Sequence, residues 1–233
     1  MNRQDAIKDW FNSTYKQRGN LYLRPVKAYF IFAELLKLKP GDRLLDVACG
    51  LGRMIEAAQD YSKHLYGIDI SDVAIEKAKK KFPNHHLQVA NAEKLPFEDG
   101  IFDKITCLGS LERMLDTESV FREMQRVSTG KARFCFLVRN SKSFKWVIFK
   151  KWLNTTNTKG NQGAKTMEEW TKLFESNNFK IEEIVSDQWP VMKWKRPFNL
   201  FNPHFFKKVH SPFVPLVYAS EYIFILSKND DAK

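Results

Sequence analysis

Cysteine is scarce in this sequence, and acidic residues are missing from two long stretches of it. The three cysteines, Cys49, Cys107 and Cys135, lack zinc-site spacing and indicate reduced thiols in a cytoplasmic protein. No run approaches the ~18 apolar residues that a membrane-spanning helix needs. The polar N-terminus is not a secretory signal. With no repeat at a fixed period, the 233 residues predict one domain, 1–233.

The missing acids concentrate the positive charge in two regions. The chain carries a formal net charge of +11. Residues 124–167 contain ten basic residues and no acid, and residues 188–220 contain five basic residues and no acid. These two stretches, named the acid-free segments, account for more than the whole net charge. Such a regional field favours a specific anionic partner, and a solvated basic face is the alternative.

From Pro40 onward, apolar strands alternate with helical patterns. Ser71 is a good N-cap for one helix, and Thr166 with Glu169 forms a capping box for another. Strands are predicted at residues 43–47, 65–69, 86–90, 101–107, 131–138, 180–185 and 219–228. This alternation indicates an α/β protein with a parallel sheet covered by helices.

Two regions fall outside the alternation. Residues 1–39 are predicted to form a helical lid, because Ala6, Trp10 and Phe11 recur at helical spacing. Residues 189–218 follow no clean period and are treated as an insertion. Its aromatic side chains are interleaved with basic ones: Trp189, Lys193, Trp194, Lys195, Arg196, Phe198, Phe201, Phe205, Phe206, Lys207, Lys208 and Phe213.

The sharpest motif is Leu44–Gly52, which leads from an apolar strand through a glycine-bearing turn into a helix. Small residues in the turn let the backbone approach a ligand closely, and the helix start presents unpaired N–H groups. A dinucleotide site would need a further small residue where this sequence has Arg53 or Ile55. The motif therefore predicts a nucleotide-type cofactor and disfavours NAD.

Two later strand ends carry polar residues suited to the same ligand. Asp69 ends the second strand, nineteen residues after Gly50, and a carboxylate there can accept both hydroxyls of a ribose. An Asp at a strand end is also a common capping residue, which is the alternative. Asn91 follows the third strand and offers a carbonyl acceptor.

These motifs together resemble one enzyme family. Asp46-Val-Ala-Cys-Gly-Leu-Gly52 matches the D-x-G/A-C-G-x-G signature of class I methyltransferases that use S-adenosyl-L-methionine (SAM). Asn91-Ala-Glu-Lys-Leu-Pro-Phe97 resembles the pattern of ubiquinone- and menaquinone-biosynthesis-type methyltransferases. The resemblance covers about residues 40–138. It implies a Rossmann-like, doubly wound sheet of seven strands, mostly parallel with the last strand antiparallel, and helices on both faces.

The resemblance also implies SAM as the cofactor, a SAM-binding core at residues 40–140 and a set of binding residues. In the family, the loop curls around the methionine part, the Asp46 position holds its amino end, and the Asn91 position accepts from the adenine. Tyr15 and Arg24 are expected to reach the SAM carboxylate. The full cofactor set is Tyr15, Arg24, Asp46, Ala48, Cys49, Gly50, Gly52, Asp69, Ile70, Asn91, Ala92, Glu93 and Leu108.

No catalytic residue follows from the sequence. Methyl transfer from SAM requires no metal or protein nucleophile, and the five histidines show no metal spacing. The family often has L-E-H after the fourth strand, and Arg113 stands at the histidine position. Arg113 is interpreted either as a ligand for an anionic acceptor or as a surface arginine. Arg139 and Trp194 are further candidates for acceptor contact.

The acid-free segments are predicted to cap the methyl acceptor. Ligands of open α/β sheets bind beyond the carboxyl ends of the strands, and the fifth and sixth strands end near Arg139 and Ser186. The favoured acceptor is a small or lipophilic molecule with an anionic group. Peripheral contact with an anionic membrane, RNA binding and extra core packing are alternatives for residues 189–218. A non-catalytic SAM-binding scaffold and an NAD-dependent oxidoreductase are alternatives for the whole protein.

Overall fold

The computed structural model describes residues 3–143, 147, 163–187, 189 and 215–229. Within them, seven strands form one sheet with the spatial order β3-β2-β1-β4-β5-β7-β6. The strands are β1 Arg43–Val47, β2 His64–Asp69, β3 His86–Val89, β4 Phe102–Leu108, β5 Ser128–Arg139, β6 Phe179–Ser186 and β7 Glu221–Lys228. The predicted strands are all present, with ends that differ by up to three residues.

The sheet is parallel except for its last strand in sequence. β1 pairs in parallel with β2 and β4, while β7 is antiparallel to both β5 and β6. The strand order reverses beside β1, because the chain first builds outward to β2 and β3 and then returns to place β4 on the other side. A crevice opens at such a reversal, at the carboxyl ends of β1 and β4. The predicted fold class is confirmed.

Helices cover both faces of the sheet. The helices are α1 Arg3–Arg18, α2 Phe30–Leu35, α3 Arg53–Ala58, α4 Asp72–Lys81, α5 Thr117–Val127 and α6 Met167–Glu175. Helices α2, α3 and α4 pack on one face, and α5 and α6 pack on the other. The predicted caps are present, since Ser71 accepts from the backbone of Ala74 and Thr166 forms its capping box with Glu169.

The two cores follow from the alternation of side chains along buried strands. In β5, Phe134 and Phe136 join the core beneath α5 and α6, whereas Cys135 and Leu137 join the core beneath α2, α3 and α4. All four side chains are almost completely buried. A strand buried on both faces reads as a continuous apolar run, which is why β5 was recognisable from the sequence.

The N-terminal region, residues 3–39, is called the lid, and polar contacts connect it to α4. Lys77 Nζ donates to the carbonyl of Tyr15 at 2.7 Å, and Ser71 Oγ donates to Asn12 Oδ1 at 2.6 Å. The region predicted to be helical, residues 1–39, is interrupted after α1, since Val26–Ala28 is a short 3-10 turn and α2 begins at Phe30. Among the described residues, no helix is long and apolar enough to cross a membrane.

Candidate functional site

Two adjoining clefts lie at the carboxyl ends of β1, β2 and β4. The β2 cleft has a volume of about 620 Å³ and extends along the ends of β2 and β3. The β1–β4 cleft has a volume of about 450 Å³ and lies at the reversal of strand order. The clefts share the wall residues Phe11, Tyr15, Ala48, Ser110 and Arg113. The lid therefore contributes to the walls of both clefts.

The glycine-bearing turn presents its backbone to these clefts. Ala48 has φ 60° and Gly50 has φ 53°, so both adopt the left-handed conformation. This conformation is uncommon for alanine and is often found at functional sites. A Cβ atom on Gly50 would lie 2.6 Å from Tyr15 Oη. Because Gly50 has no side chain, Tyr15 of the lid can lie directly against the backbone of the turn.

Gly52 lies at the start of α3, close to Phe82 of the neighbouring helix. It is the N-cap of α3 with φ 76°, and a Cβ atom there would lie 2.9 Å from Phe82 Cε2. Gly52 is not among the described residues that line the two clefts. Because Gly52 has no side chain, α3 can begin close to Phe82 and pack against α4.

Asp69 joins the turn to the end of β2. Its Oδ2 accepts from the backbone N of Gly50 at 2.8 Å, and its Oδ1 accepts from the backbone N of Ser71 at 2.9 Å. Burial raises the pKa of Asp69 to about 6, and these backbone hydrogen bonds oppose that shift. Asp69 also lines the β2 cleft. It can therefore shape the turn and contact a ligand at the same time, since each carboxylate oxygen has more than one acceptor site.

Asp46 is the corresponding carboxylate of the β1–β4 cleft. It is buried, and its Oδ1 accepts from Thr106 Oγ1 at 2.6 Å. Burial raises the pKa of Asp46 to about 7, although the Thr106 hydrogen bond lowers it. The contact of Thr106 with Asp46 was not predicted from the sequence. The available signal was a hydroxyl in the otherwise apolar centre of β4, opposite Asp46 in the parallel register.

The end of β3 supplies the outer wall of the β2 cleft. Four residues predicted to bind the cofactor, Ile70, Asn91, Ala92 and Glu93, line this cleft together with Asp69. Asn91 Oδ1 accepts from the backbone N of Glu93 at 3.0 Å, which fixes the turn. The side chain of Glu93 also accepts from the backbone N of Asp116 at 3.2 Å. These contacts hold a polar edge beside the small side chain of Ala92.

The turn after β4 brings Arg113 into the site. Leu108 and Ser110 line the β1–β4 cleft, and Arg113 lines both clefts although it is only 7% exposed. Its guanidinium lies 5.8 Å from the ring centre of Trp10 and 5.6 Å from that of Phe11. These distances are typical of cation–π contacts. The alternative of a surface arginine was wrong, because the lid covers this side chain.

Arg24 and Arg139 belong to an ion network beside the clefts. Arg24 Nη2 donates to Asp187 Oδ2 at 2.8 Å and also contacts Glu221. Arg139 Nε lies 3.3 Å from Glu112 Oε1 and 3.7 Å from Glu221 Oε1. Neither arginine is among the described residues that line the clefts. Trp194 lies outside the described residues.

The chemistry of the lining favours binding over covalent catalysis. Cys49 lines the β1–β4 cleft, but burial raises the pKa of its thiol, so it is a neutral group rather than a thiolate nucleophile. Among the residues that the structure describes, no three His, Cys, Asp or Glu side chains are arranged to hold a metal ion. The carboxylates of Asp46 and Asp69, the Asn91 amide and the Arg113 guanidinium are suited to a polar, charged ligand.

Comparison with protein families identifies the part of the chain that carries this site. Residues 45–136 match the family described as a methyltransferase domain. The matched segment contains Asp46, the glycine turn, Asp69, Asn91 and Arg113.

Curated relatives extend the similarity beyond this segment. A protein from Methanocaldococcus jannaschii is 34% identical over 145 residues, which cover 62% of this chain and 53% of that protein. A ubiquinone biosynthesis O-methyltransferase from Coxiella burnetii is 30% identical over 150 residues, which cover 62% of this chain and 63% of the enzyme. The chain thus spans between about half and two thirds of the length of these relatives.

Solved structures share the fold over nearly the whole chain. Geranyl diphosphate C-methyltransferase from Streptomyces coelicolor superposes with a TM-score of 0.66 at 17% identity. The superposition covers 98% of both chains. That enzyme was crystallised with Mg²⁺, geranyl diphosphate and S-adenosyl-L-homocysteine. At this identity, the comparison establishes a shared architecture.

Proposed function

We propose that this chain, whose residues 45–136 match a methyltransferase domain, binds SAM in the two clefts and transfers its methyl group to a small acceptor. The observation that carries the proposal is the placement of Asp46 and Asp69. These buried carboxylates come from the ends of adjacent strands and line adjoining clefts on either side of Ala48. SAM is a nucleoside joined to an amino acid, so a polar group in each cleft can contact each of its two parts.

The residues present fit both parts of SAM. In the β2 cleft, Asp69 would accept from the ribose hydroxyls and Asn91 from the adenine amino group, with Ala92 beside the ring. In the β1–β4 cleft, Asp46 would pair with the ammonium of the methionine part. Gly50, with its left-handed backbone, adds no side chain of its own to this part of the cleft.

The chemistry requires little more than alignment and the exclusion of water. When bound, SAM supplies a methyl group on a sulfonium whose departure as a neutral thioether drives the transfer. Phe11 and Tyr15 on α1 contribute to the walls of both clefts, and Tyr22 extends the lid over the β1–β4 cleft. Orienting the reactants and shielding them from water are the contributions that such a lid can make.

Described residues of both acid-free segments lie beside the two clefts, near the carboxyl ends of the strands. Asn140 Nδ2 donates to the carbonyl of Ala219 at 2.8 Å, which joins the first segment to the end of the second. Gly163 N donates to the carbonyl of Glu112 at 2.9 Å, directly before Arg113. Asp187 N donates to the carbonyl of Glu221 at 3.0 Å. We propose that these segments cap an acceptor with an anionic group and an apolar body.

Calorimetric titration with SAM, S-adenosylhomocysteine (SAH) and NAD tests the function. Binding of SAM and SAH in the micromolar range, with no binding of NAD, is the expected result. Binding of NAD alone would support an oxidoreductase. If SAM and SAH bind but no methyl transfer is found to phenolic acids, lipid extracts or RNA, the scaffold alternative gains support. Transfer to RNA alone would replace the small acceptor in this proposal.

SAH affinity is expected to fall as the pH decreases from about 8 to about 5. Burial raises the pKa of Asp46 to about 7 and that of Asp69 to about 6, and binding favours their ionised forms. Binding near neutral pH should therefore release protons, which calorimetry in buffers of different ionisation enthalpy measures. Asp46→Asn should bind more weakly at about pH 8 and lose the step near pH 7. A flat profile in the unsubstituted protein would contradict this prediction.

Removing positive charge from the second acid-free segment is expected to affect the acceptor and not the cofactor. Turnover of a carboxylate-bearing catechol should fall on the order of tenfold, because several weak contacts with an anion are lost together. Turnover of its neutral amide and the Kd for SAH should change by less than about twofold. Equal loss for acid and amide would contradict the cap proposal. The residues to be replaced by glutamine lie outside the described residues: Lys193, Lys195, Arg196, Lys207 and Lys208.

A further inference from the structure

We propose that Arg113 binds the carboxylate of the methionine part of SAM and thereby selects the complete amino-acid-bearing cofactor over its nucleoside fragment. This inference rests on the proposed function, and it assigns a residue that the sequence analysis had given to the acceptor or to the surface. It follows from the charges that line the β1–β4 cleft, the position of Arg113 and the contacts of Arg24.

The β1–β4 cleft carries one group of each charge. Of the described residues that line it, Asp46 is the only carboxylate and Arg113 the only cation. An α-amino acid carries one ammonium and one carboxylate, so the two groups match its two charges. Without Arg113, the ligand carboxylate would enter a buried cleft with a net negative charge. Such an uncompensated burial is costly.

Arg113 lies where the two clefts meet. It forms part of both linings, next to Ser110, and the whole residue is 7% exposed. The rings of Trp10 and Phe11 lie within 6 Å of the guanidinium, a distance at which aromatic rings stabilise the cation and restrict its movement. A guanidinium has five donors in a planar fork and can bind a carboxylate with two parallel hydrogen bonds.

Arg24, the residue first expected to bind the SAM carboxylate, has a structural role instead. Its Nη2 contacts both Asp187 and Glu221, so two carboxylates already compensate its charge. These contacts connect the part of the lid that follows α1 to the end of β6 and the start of β7. The structure thus separates the two arginines: Arg24 anchors the lid, and Arg113 faces the clefts.

The test compares two ligands that differ in the amino-acid part. SAH contains it, whereas 5′-methylthioadenosine retains the nucleoside and the sulfur but lacks the ammonium and the carboxylate. Arg113→Gln should weaken SAH binding by about 10- to 100-fold, the effect of losing a charge-assisted pair. The Kd for 5′-methylthioadenosine should change by less than about twofold, because this ligand lacks the carboxylate that Arg113 is proposed to bind.

Three further variants make the comparison specific. Arg113→Lys keeps the charge and should restore part of the preference for SAH. Arg24→Gln should lower the melting temperature without changing the ratio of the two Kd values. Arg122→Gln, on the exposed face of α5, is the matched control and should change neither Kd.

Each contrary outcome has a distinct meaning. Equal weakening of both ligands by Arg113→Gln would overturn the inference and restrict Arg113 to lid packing. Unchanged binding of both ligands would overturn it in favour of an acceptor role. A selective loss of SAH in Arg24→Gln, with none in Arg113→Gln, would return the carboxylate to Arg24. If the folded, unsubstituted protein binds 5′-methylthioadenosine and SAH equally, the inference about Arg113 fails, and if it binds neither ligand, the SAM-binding proposal itself fails.

Discussion

Replacing Asp69 with alanine is expected to weaken SAH binding on the order of a hundredfold. The substitution removes a charged acceptor from the β2 cleft, and a pair of charge-assisted hydrogen bonds contributes about 3 kcal/mol. It also leaves the backbone N–H groups of Gly50 and Ser71 without their acceptor, so the turn loses its connection to β2. Calorimetric titration with SAH measures the change. A Kd within about twofold of the original would reject the role of Asp69.

Two other variants separate the contact with the ligand from the shape of the turn. Asp69→Asn retains one carbonyl acceptor and should preserve part of the turn, with a smaller loss of affinity than alanine causes. Asp60→Ala removes a carboxylate from an exposed position after α3 and should leave the SAH affinity unchanged. If Asp69→Asn and Asp69→Ala prove equally weak, the negative charge itself is required for the ligand.

A methyl group at Gly50 is expected to have the second large effect. The Cβ atom of Gly50→Ala would lie 2.6 Å from Tyr15 Oη and 3.3 Å from Tyr15 Cζ, so the buried Tyr15 ring must shift to relieve the contact. The left-handed backbone at φ 53° adds about 1–2 kcal/mol of strain. We expect a lower melting temperature and SAH binding weakened at least about tenfold, consistent with the loss of a close backbone approach.

A second glycine supplies the matched control for backbone strain. Gly100 also has a left-handed backbone, with φ 68°, but no atom lies within 4 Å of its added Cβ. Gly100→Ala should therefore lower the melting temperature and leave SAH affinity intact. Combining Gly50→Ala with Tyr15→Phe removes the closest contact and should restore part of the affinity. If Gly100→Ala impairs binding as much as Gly50→Ala does, the proposed contact with Tyr15 is not the cause.

The lid links these predictions to the proposed chemistry. Tyr15 contacts the glycine turn, and Arg113 lies against Trp10 and Phe11. Arg24, in the part of the lid that follows α1, pairs with carboxylates beside β6 and β7. The segment that covers the clefts is therefore the same one that contacts the glycine turn and the proposed ligand of the SAM carboxylate. A lid of this kind can control both access of the cofactor and protection of the reaction.

The sequence by itself determined the sheet and the position of the cofactor turn. Continuous apolar runs such as β5 and the capping residues Ser71 and Thr166 are local signals, so they identify strands and helix starts without tertiary information. The motif from Asp46 to Gly52 is also local, because backbone conformation and ligand approach depend on adjacent residues. The fold inferred from it is confirmed, and residues 45–136 match a methyltransferase domain.

Only the tertiary structure decided which side chains share a cleft. Thr106 meets Asp46 because β1 and β4 are neighbours despite a separation of 60 residues. Arg113 is buried because the lid folds over the turn after β4, whereas Arg24 is drawn to Asp187 and Glu221. Gly52 packs on Phe82 for the same reason. Charge pairing and burial depend on contacts between distant segments, and no local pattern encodes those contacts.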